Sequence, residues 1–244
     1  MVFDISGNRF EAPKFDQRLI VIVGGYGSGK SEVSVNLGVH LARSQDEPVA
    51  VADLDIVNPY FRSREAAEKL EAMGVRAINP SGGQQHSDLP IILPEIRGVV
   101  MRQDGYVILD VGGDDVGARV LSSLADAFVP GSYEMLLVLN ANRPFTSDLD
   151  STRKVIGEIE VASSLKFTGI ISNTHLLEAT DAETVYAGLK LAREVGVACE
   201  IPVCLVSALS EVAGQLEADK IGLPLLPLNR ELLKPWERKA ANDN

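Results

Sequence analysis

The chain has 244 residues, 45% of them hydrophobic, with 23 basic and 34 acidic side chains and a formal net charge of −11. That balance excludes a partner gripped mainly through neutralised phosphates along a duplex, so nucleic acid is not expected; a small local anion site remains compatible with it. Two cysteines, Cys199 and Cys204, give no disulfide framework, the N-terminus has no leader-like pattern, and no uncharged apolar run approaches membrane-spanning length, so we expect a cytoplasmic chain without membrane association.

In chain order, Phe3, Ile5 and Phe10 flank a Ser6-Gly7-Asn8 turn signal, which predicts a small hairpin or edge extension within residues 1–17. Strands are predicted at Leu19–Val23, Val49–Ala52, Tyr106–Leu109, Met135–Leu139, Phe167–Ile171 and Ile201–Val206, where Val, Ile and Leu run continuously. Such runs fit strands covered on both faces. Helices are predicted at 31–44, 62–73, 115–128, 147–163 and 181–195, with Ser147 capping the fourth, Thr180 or Asp181 capping the fifth and Gly196 ending it. Residues 82–90 read as a polar, Gly-rich loop, a lid or partner surface or simply an exposed connection, and 229–244 as a tail too short and too mixed in charge for a membrane helix. The β-α-β-α order implies right-handed crossovers. The expected fold class is therefore α/β: a doubly wound, mostly parallel sheet with helices on both faces, in a single domain spanning 1–244.

Ligands of such sheets bind beyond the carboxyl ends of the strands. Gly24-x-x-x-x-Gly29-Lys30-Ser31 stands there, after a buried strand and before an amphipathic helix, and satisfies the phosphate-loop pattern. The glycines let successive backbone N–H groups turn inward around phosphate oxygens, Lys30 reaches the β- and γ-phosphates, and Ser31 ligates Mg²⁺. Asp110 closes the buried run Tyr106-Val-Ile-Leu, as expected of a residue that holds Mg²⁺ directly or through water; the alternative, an acid capping the following helix, fits Asp114 or Asp115 better than Asp110. Alternation sets Asp53 and Asp55 on one side of their strand, converging on one ion or water, unless they merely close it and leave Arg62 and Arg64 as a solvated helical turn. His40 is read as a packed helix residue and His175 as either a pocket or an exposed-loop residue. Asn140-Ala-Asn142-Arg143-Pro144-Phe145 is either a ligand contact or a helix-entry loop.

Together the phosphate loop, Asp53-Leu-Asp55, Asp110-Val-Gly-Gly-Asp114 and Ile170-Ile-Ser-Asn173 resemble the SIMIBI class of P-loop NTPases, which includes the ParA/MinD partition ATPases and the nitrogenase iron protein. The resemblance covers roughly residues 18–226 and specifies the class better than the member. It implies that Gly25, Tyr26, Gly27, Ser28, Gly29, Lys30 and Ser31 cradle the phosphates and that Asp55 orients the attacking water in switch I. Asp110 and Asp114 would form switch II, and Asn173 would hydrogen-bond adenine; Asp53 is expected beside Ser31 and Asp110 at magnesium from the strand alternation. On the residues alone, Asn173 reads equally as a turn former. Gly25 occupies the place of a lysine that partition ATPases extend into a partner's site, so a homodimer would need Arg62 or Arg64 as substitute. The absence of Cys-x-x-Cys and Cys-x-Cys argues against an iron–sulfur or nickel carrier, and both cysteines read as core thiols. With no Asn-Lys-x-Asp guanine signature, ATP is expected over GTP. The implied function is a Mg²⁺-dependent ATPase, cycling between ATP and ADP, that switches a protein partner. Two alternatives stand beside it: a small-molecule kinase or ligase resembling dethiobiotin synthetase, whose Arg62, Arg64 and 82–90 loop would hold an acidic acceptor, and a nucleotide-gated interaction protein with negligible turnover.

Overall fold

The computed structural model describes residues 2–5, 8–54, 64–78, 89–101, 104–113 and 115–231. Val2–Ile5 (β1) and Asn8–Glu11 (β2) pair antiparallel, which is the expected N-terminal hairpin. Then follow Leu19–Gly24 (β3), Lys30–Ser44 (α1), Val49–Asp53 (β4), Arg64–Ala72 (α2), Val75–Ile78 (β5), Leu89–Met101 (α3), Tyr106–Gly112 (β6) and Asp115–Ser123 (α4). Tyr133–Leu139 (β7), Leu149–Ser163 (α5), Gly169–Ser172 (β8), Ala182–Cys199 (α6) and Val203–Leu209 (β9) continue the alternation. Two short helices, Ser210–Ala213 (α7) and Ala218–Ile221 (α8), lead to Leu225–Leu228 (β10).

The main sheet has eight strands in the order β10-β9-β8-β7-β3-β6-β4-β5, and every pairing in it is parallel. Alternate residues of the central strand face opposite layers. Leu19, Val21 and Val23 pack with Ile96 of α3, Val120 of α4 and Ile156 of α5, whereas Ile20 and Ile22 pack with Val33, Leu37 and Leu41 of α1. Both faces of β3 are therefore dry, which is why its sequence is continuously apolar. A third cluster joins Phe10 of the hairpin to Val185 and Leu189 of α6 and to Val206 and Leu225 of β9 and β10.

The chain leaves β3 toward β4 and β5, returns through β6, and crosses to β7 on the other side of β3. The reversal places the mouth of the sheet at the carboxyl ends of β3, β6 and β7.

Several local expectations are corrected. Residues 89–90 open α3 rather than close a loop; Pro90 falls in the first turn, where a missing N–H costs no helical bond, while residues 82–88, including His86, lie outside the described part. The cap of α5 is Asp148, accepting from the Ser151 N–H at 2.8 Å, not Ser147. Helix α6 passes Gly196 and ends at Cys199, with Glu200 in the left-handed region at φ 59°. Asp181 caps it through the Thr184 N–H at 2.8 Å. The cysteines are half-buried at the margin of the core, and burial pushes both thiols up. Among the described residues no helix is long and apolar enough to cross a membrane.

Candidate phosphate-binding site

Between β3 and α1 the backbone turns on itself, Ser28 N–H donating to the Gly25 carbonyl at 3.0 Å. Gly29 stands at φ 87° as the residue before α1, a conformation in which a side chain is strained. It also lacks room: a Cβ there would stand 2.4 Å from Asn173 Nδ2. Gly29 offers no side-chain cap, so the start of α1 presents backbone donors and the positive end of the helix dipole toward the mouth of the sheet. Lys30 and Ser31 open that helix and are half-buried, while Tyr26 projects at the loop's tip, 84% exposed. Ser28 is buried, and its hydroxyl has no hydrogen-bond partner among the described residues.

The carboxylates come from the neighbouring strands. Asp53 ends β4 and is the register partner of Asp110 in β6, which in turn pairs with Ile22 of β3. Their alternation places both on the face packed by α1, and both are buried. Just beyond Asp110, Gly113 approaches the loop so closely that a Cβ on it would lie 2.7 Å from the Gly24 carbonyl oxygen and 2.8 Å from the Gly25 nitrogen. The structure thus gathers the phosphate loop, Asp53, Asp110 and Asn173 at one edge. Asp55, Arg62 and Asp114 lie outside the described residues; Arg64 begins α2, its side chain likewise outside.

A second layer supports the loop from behind. Asn173, 2% exposed, donates from Nδ2 to the Ser28 carbonyl at 2.8 Å and accepts from the Ser207 hydroxyl at 2.9 Å. Its side chain therefore spans two strands and the loop instead of closing a turn of its own. Fully buried Asn140, at the end of β7, reaches the carbonyls of Gly27 and His175, each at 3.4 Å. Arg143 donates from Nε to the same Gly27 carbonyl at 2.8 Å. Thr174 Oγ1 accepts from the Ala141 N–H at 3.0 Å, tying the two loops together. His175 lies beside them, its pKa lowered first by burial and then by the Arg143 charge, so the imidazole is neutral at pH 7. The polar run after β7 is thus the loop's backing. Ser207 carried no local signal beyond being a polar residue inside a buried strand.

These groups fit a magnesium-bound polyphosphate. Ser31, Asp53 and Asp110 offer the hard oxygen donors that Mg²⁺ takes, and the loop offers left-handed turns, backbone donors and the Lys30 ammonium for phosphate. A separate surface cleft of about 500 Å³ is lined by Tyr186, Lys190 and Arg193 of α6 and Lys220 of α8, without the phosphate loop. Its Lys220 lies over the Tyr186 ring and pairs with Glu217, and Arg193 donates to the Ile221 carbonyl.

No family model and no curated protein matches the chain. Among solved structures it is similar to the cell division protein FtsY of Thermotoga maritima, at 20% identity and a TM-score of 0.52 over 83% of this chain and 67% of that one. It is also similar to FtsY of Mycoplasma mycoides, at 16% identity and a TM-score of 0.52 over 85% and 66%. The chain spans about two thirds of the length of these structures. Identities this low show a shared fold, the parallel α/β sheet with helices on both faces, and nothing finer.

Proposed function

We propose that the chain binds ATP with Mg²⁺ at residues 25–31 and hydrolyses it as a cytoplasmic, nucleotide-dependent conformational switch for a protein partner. The observation that carries this reading is the phosphate loop between β3 and α1, set at the reversal of the sheet with buried Asp53 and Asp110 in register beside it. Lys30 holds the β- and γ-phosphates, and Ser31, Asp53 and Asp110 hold the metal. Bound magnesium neutralises phosphate charge and draws electron density toward the leaving oxygen. Asp55 orients the attacking water, and Asp114 carries the state of the phosphate into switch II. Asn173 keeps one Nδ2 hydrogen and one Oδ1 lone pair beyond its two bonds to the protein, enough for an adenine edge. Residues 1–244 form one domain in this reading, supported by Phe10 packing against α6 and β9 and by Asn229 bonding to α1.

Two measurements test the assignment. Competition against a labelled ATP analogue should rank ATP above GTP, because Asn173 is followed by Thr-His-Leu and no guanine-reading aspartate stands near it; GTP displacing the analogue more strongly would overturn the base preference. Asp55→Asn should keep ATP affinity and slow hydrolysis, since the amide keeps the shape and loses the charge. Normal turnover by Asp55→Asn, with loss in Asp114→Asn, would move the water-orienting role to switch II.

A further inference from the structure

Arg143 is a half-buried arginine that rests on the phosphate loop and makes no salt bridge among the described residues. Removing a guanidinium from water without a counter-charge is costly. Acids are abundant in the chain, 34 against 23 basic residues, so the lack of one here calls for a reason. The side chain follows β7 and donates from Nε to the Gly27 carbonyl at 2.8 Å. Its guanidinium lies over Gly27 so closely that a Cβ on that residue would stand 2.8 Å from Nε and 2.9 Å from Cζ. One of five donors is used in this bond. The surrounding groups are the Asn140 amide, which shares the Gly27 carbonyl, and His175, which is kept neutral. Among the described residues neither of these neighbours is an anion. A phosphate bound in the loop would supply the counter-charge.

The position also bears on assembly. Gly25 leaves the loop without the second lysine, and Arg143 brings a permanent positive charge to Gly27, two residues away, from the same chain. We propose that Arg143 is a positioning residue that holds the phosphate loop in its binding curve through Gly27, and that its charge completes the site in cis. The proposal rests on reading residues 25–31 as a triphosphate site. It makes a charge delivered from a second copy, through Arg62 or Arg64, unnecessary for binding.

The experiment measures Mg·ATP affinity by calorimetry for the full chain, Arg143→Lys and Arg143→Met, at low and high salt and at several protein concentrations. Lysine keeps the charge and the reach; methionine keeps only the length. Arg143→Met should bind roughly tenfold more weakly, the scale of one charge-assisted hydrogen bond. Arg143→Lys should recover most of that loss, and the gap should narrow as salt screens the charge. Melting of the nucleotide-free proteins should change little, and wild-type affinity should not depend on protein concentration. Three results would overturn the proposal: wild-type affinity in Arg143→Met, equal losses in both variants with equally lowered melting temperatures, or wild-type affinity that rises as the protein associates. Failure of wild-type protein to bind ATP at all would instead remove the underlying reading of the loop, and the proposal with it.

Discussion

The carboxamide of Asn173 is bonded at both ends in a site 2% exposed, to Ser28 of the phosphate loop and to Ser207 of β9. Asn173→Ala would take one of two donors from the Ser28 carbonyl, which His175 also meets, and leave the buried Ser207 hydroxyl without its acceptor, which costs about 1–3 kcal/mol. Urea unfolding of the nucleotide-free protein should register that loss, and an unchanged midpoint would mean that the two bonds contribute nothing. Gly29→Ala should be as damaging, because φ 87° strains any side chain and the new Cβ would meet Asn173 Nδ2. For pH, His40 and His175 both have pKa values lowered chiefly by burial, so in the folded state each is neutral where the unfolded chain still takes up a proton. The stability they contribute is therefore present above the unfolded histidine value of about 6.5 and is lost as the pH falls below it. His175→Gln should flatten the decline of the unfolding midpoint between neutral pH and about pH 5; a decline as steep as wild type would show that His175 stays as protonable folded as unfolded. The position of the loop between β3 and α1 was legible in the sequence because the phosphate-loop pattern is local. The backing residues were not, since Asn140 meets Gly27 across 113 positions and Asn173 meets Ser28 across 145.

Among the elements, α1 carries the site at its start and is tied to the end of the described chain along its side. Asn36, buried in α1, accepts from the Asn229 N–H at 2.8 Å and donates to the Asn229 carbonyl at 3.0 Å, as a neighbouring strand would. Glu32 accepts from the Glu231 N–H, and Lys69 of α2 pairs with the Glu231 carboxylate at 2.6 Å. Residues 229–231 thus join the helix that starts at the phosphate loop to the helix that follows residues 55–63. Asn36→Ala should cost about 1–3 kcal/mol and speed amide exchange at Asn229; exchange as slow as in wild type would show that the strap is held by something else. The six strands read from the sequence are all present because burial on both faces makes them continuous apolar runs. Two were missed for opposite reasons. Val75–Ile78 is an edge strand with exposed Arg76, too short and mixed to stand out, whereas Leu225–Leu228 contains Pro227, which is tolerated because β10 is the other edge of the sheet. Helix α3 was hidden by Pro90 and Pro94, which read as loop signals.

For the whole molecule, the sheet order sets where a ligand mouth would open before any side chain is considered: the chain reverses about β3, and the loop leaving β3 is the one with the phosphate pattern. The similarity to the FtsY structures extends to this fold. The fold class could be read from alternating element types. The contact of Arg143 with Gly27 could not, because it spans 116 positions. The central claim is that Lys30 and the loop around it bind a nucleotide triphosphate. Calorimetry of Mg·ATP with wild-type protein and Lys30→Ala tests it most directly. Wild type should bind and the variant should be weakened roughly a hundredfold or more while remaining folded, because no other lysine lies in the loop; a folded Lys30→Ala protein with unchanged ATP affinity would contradict the account.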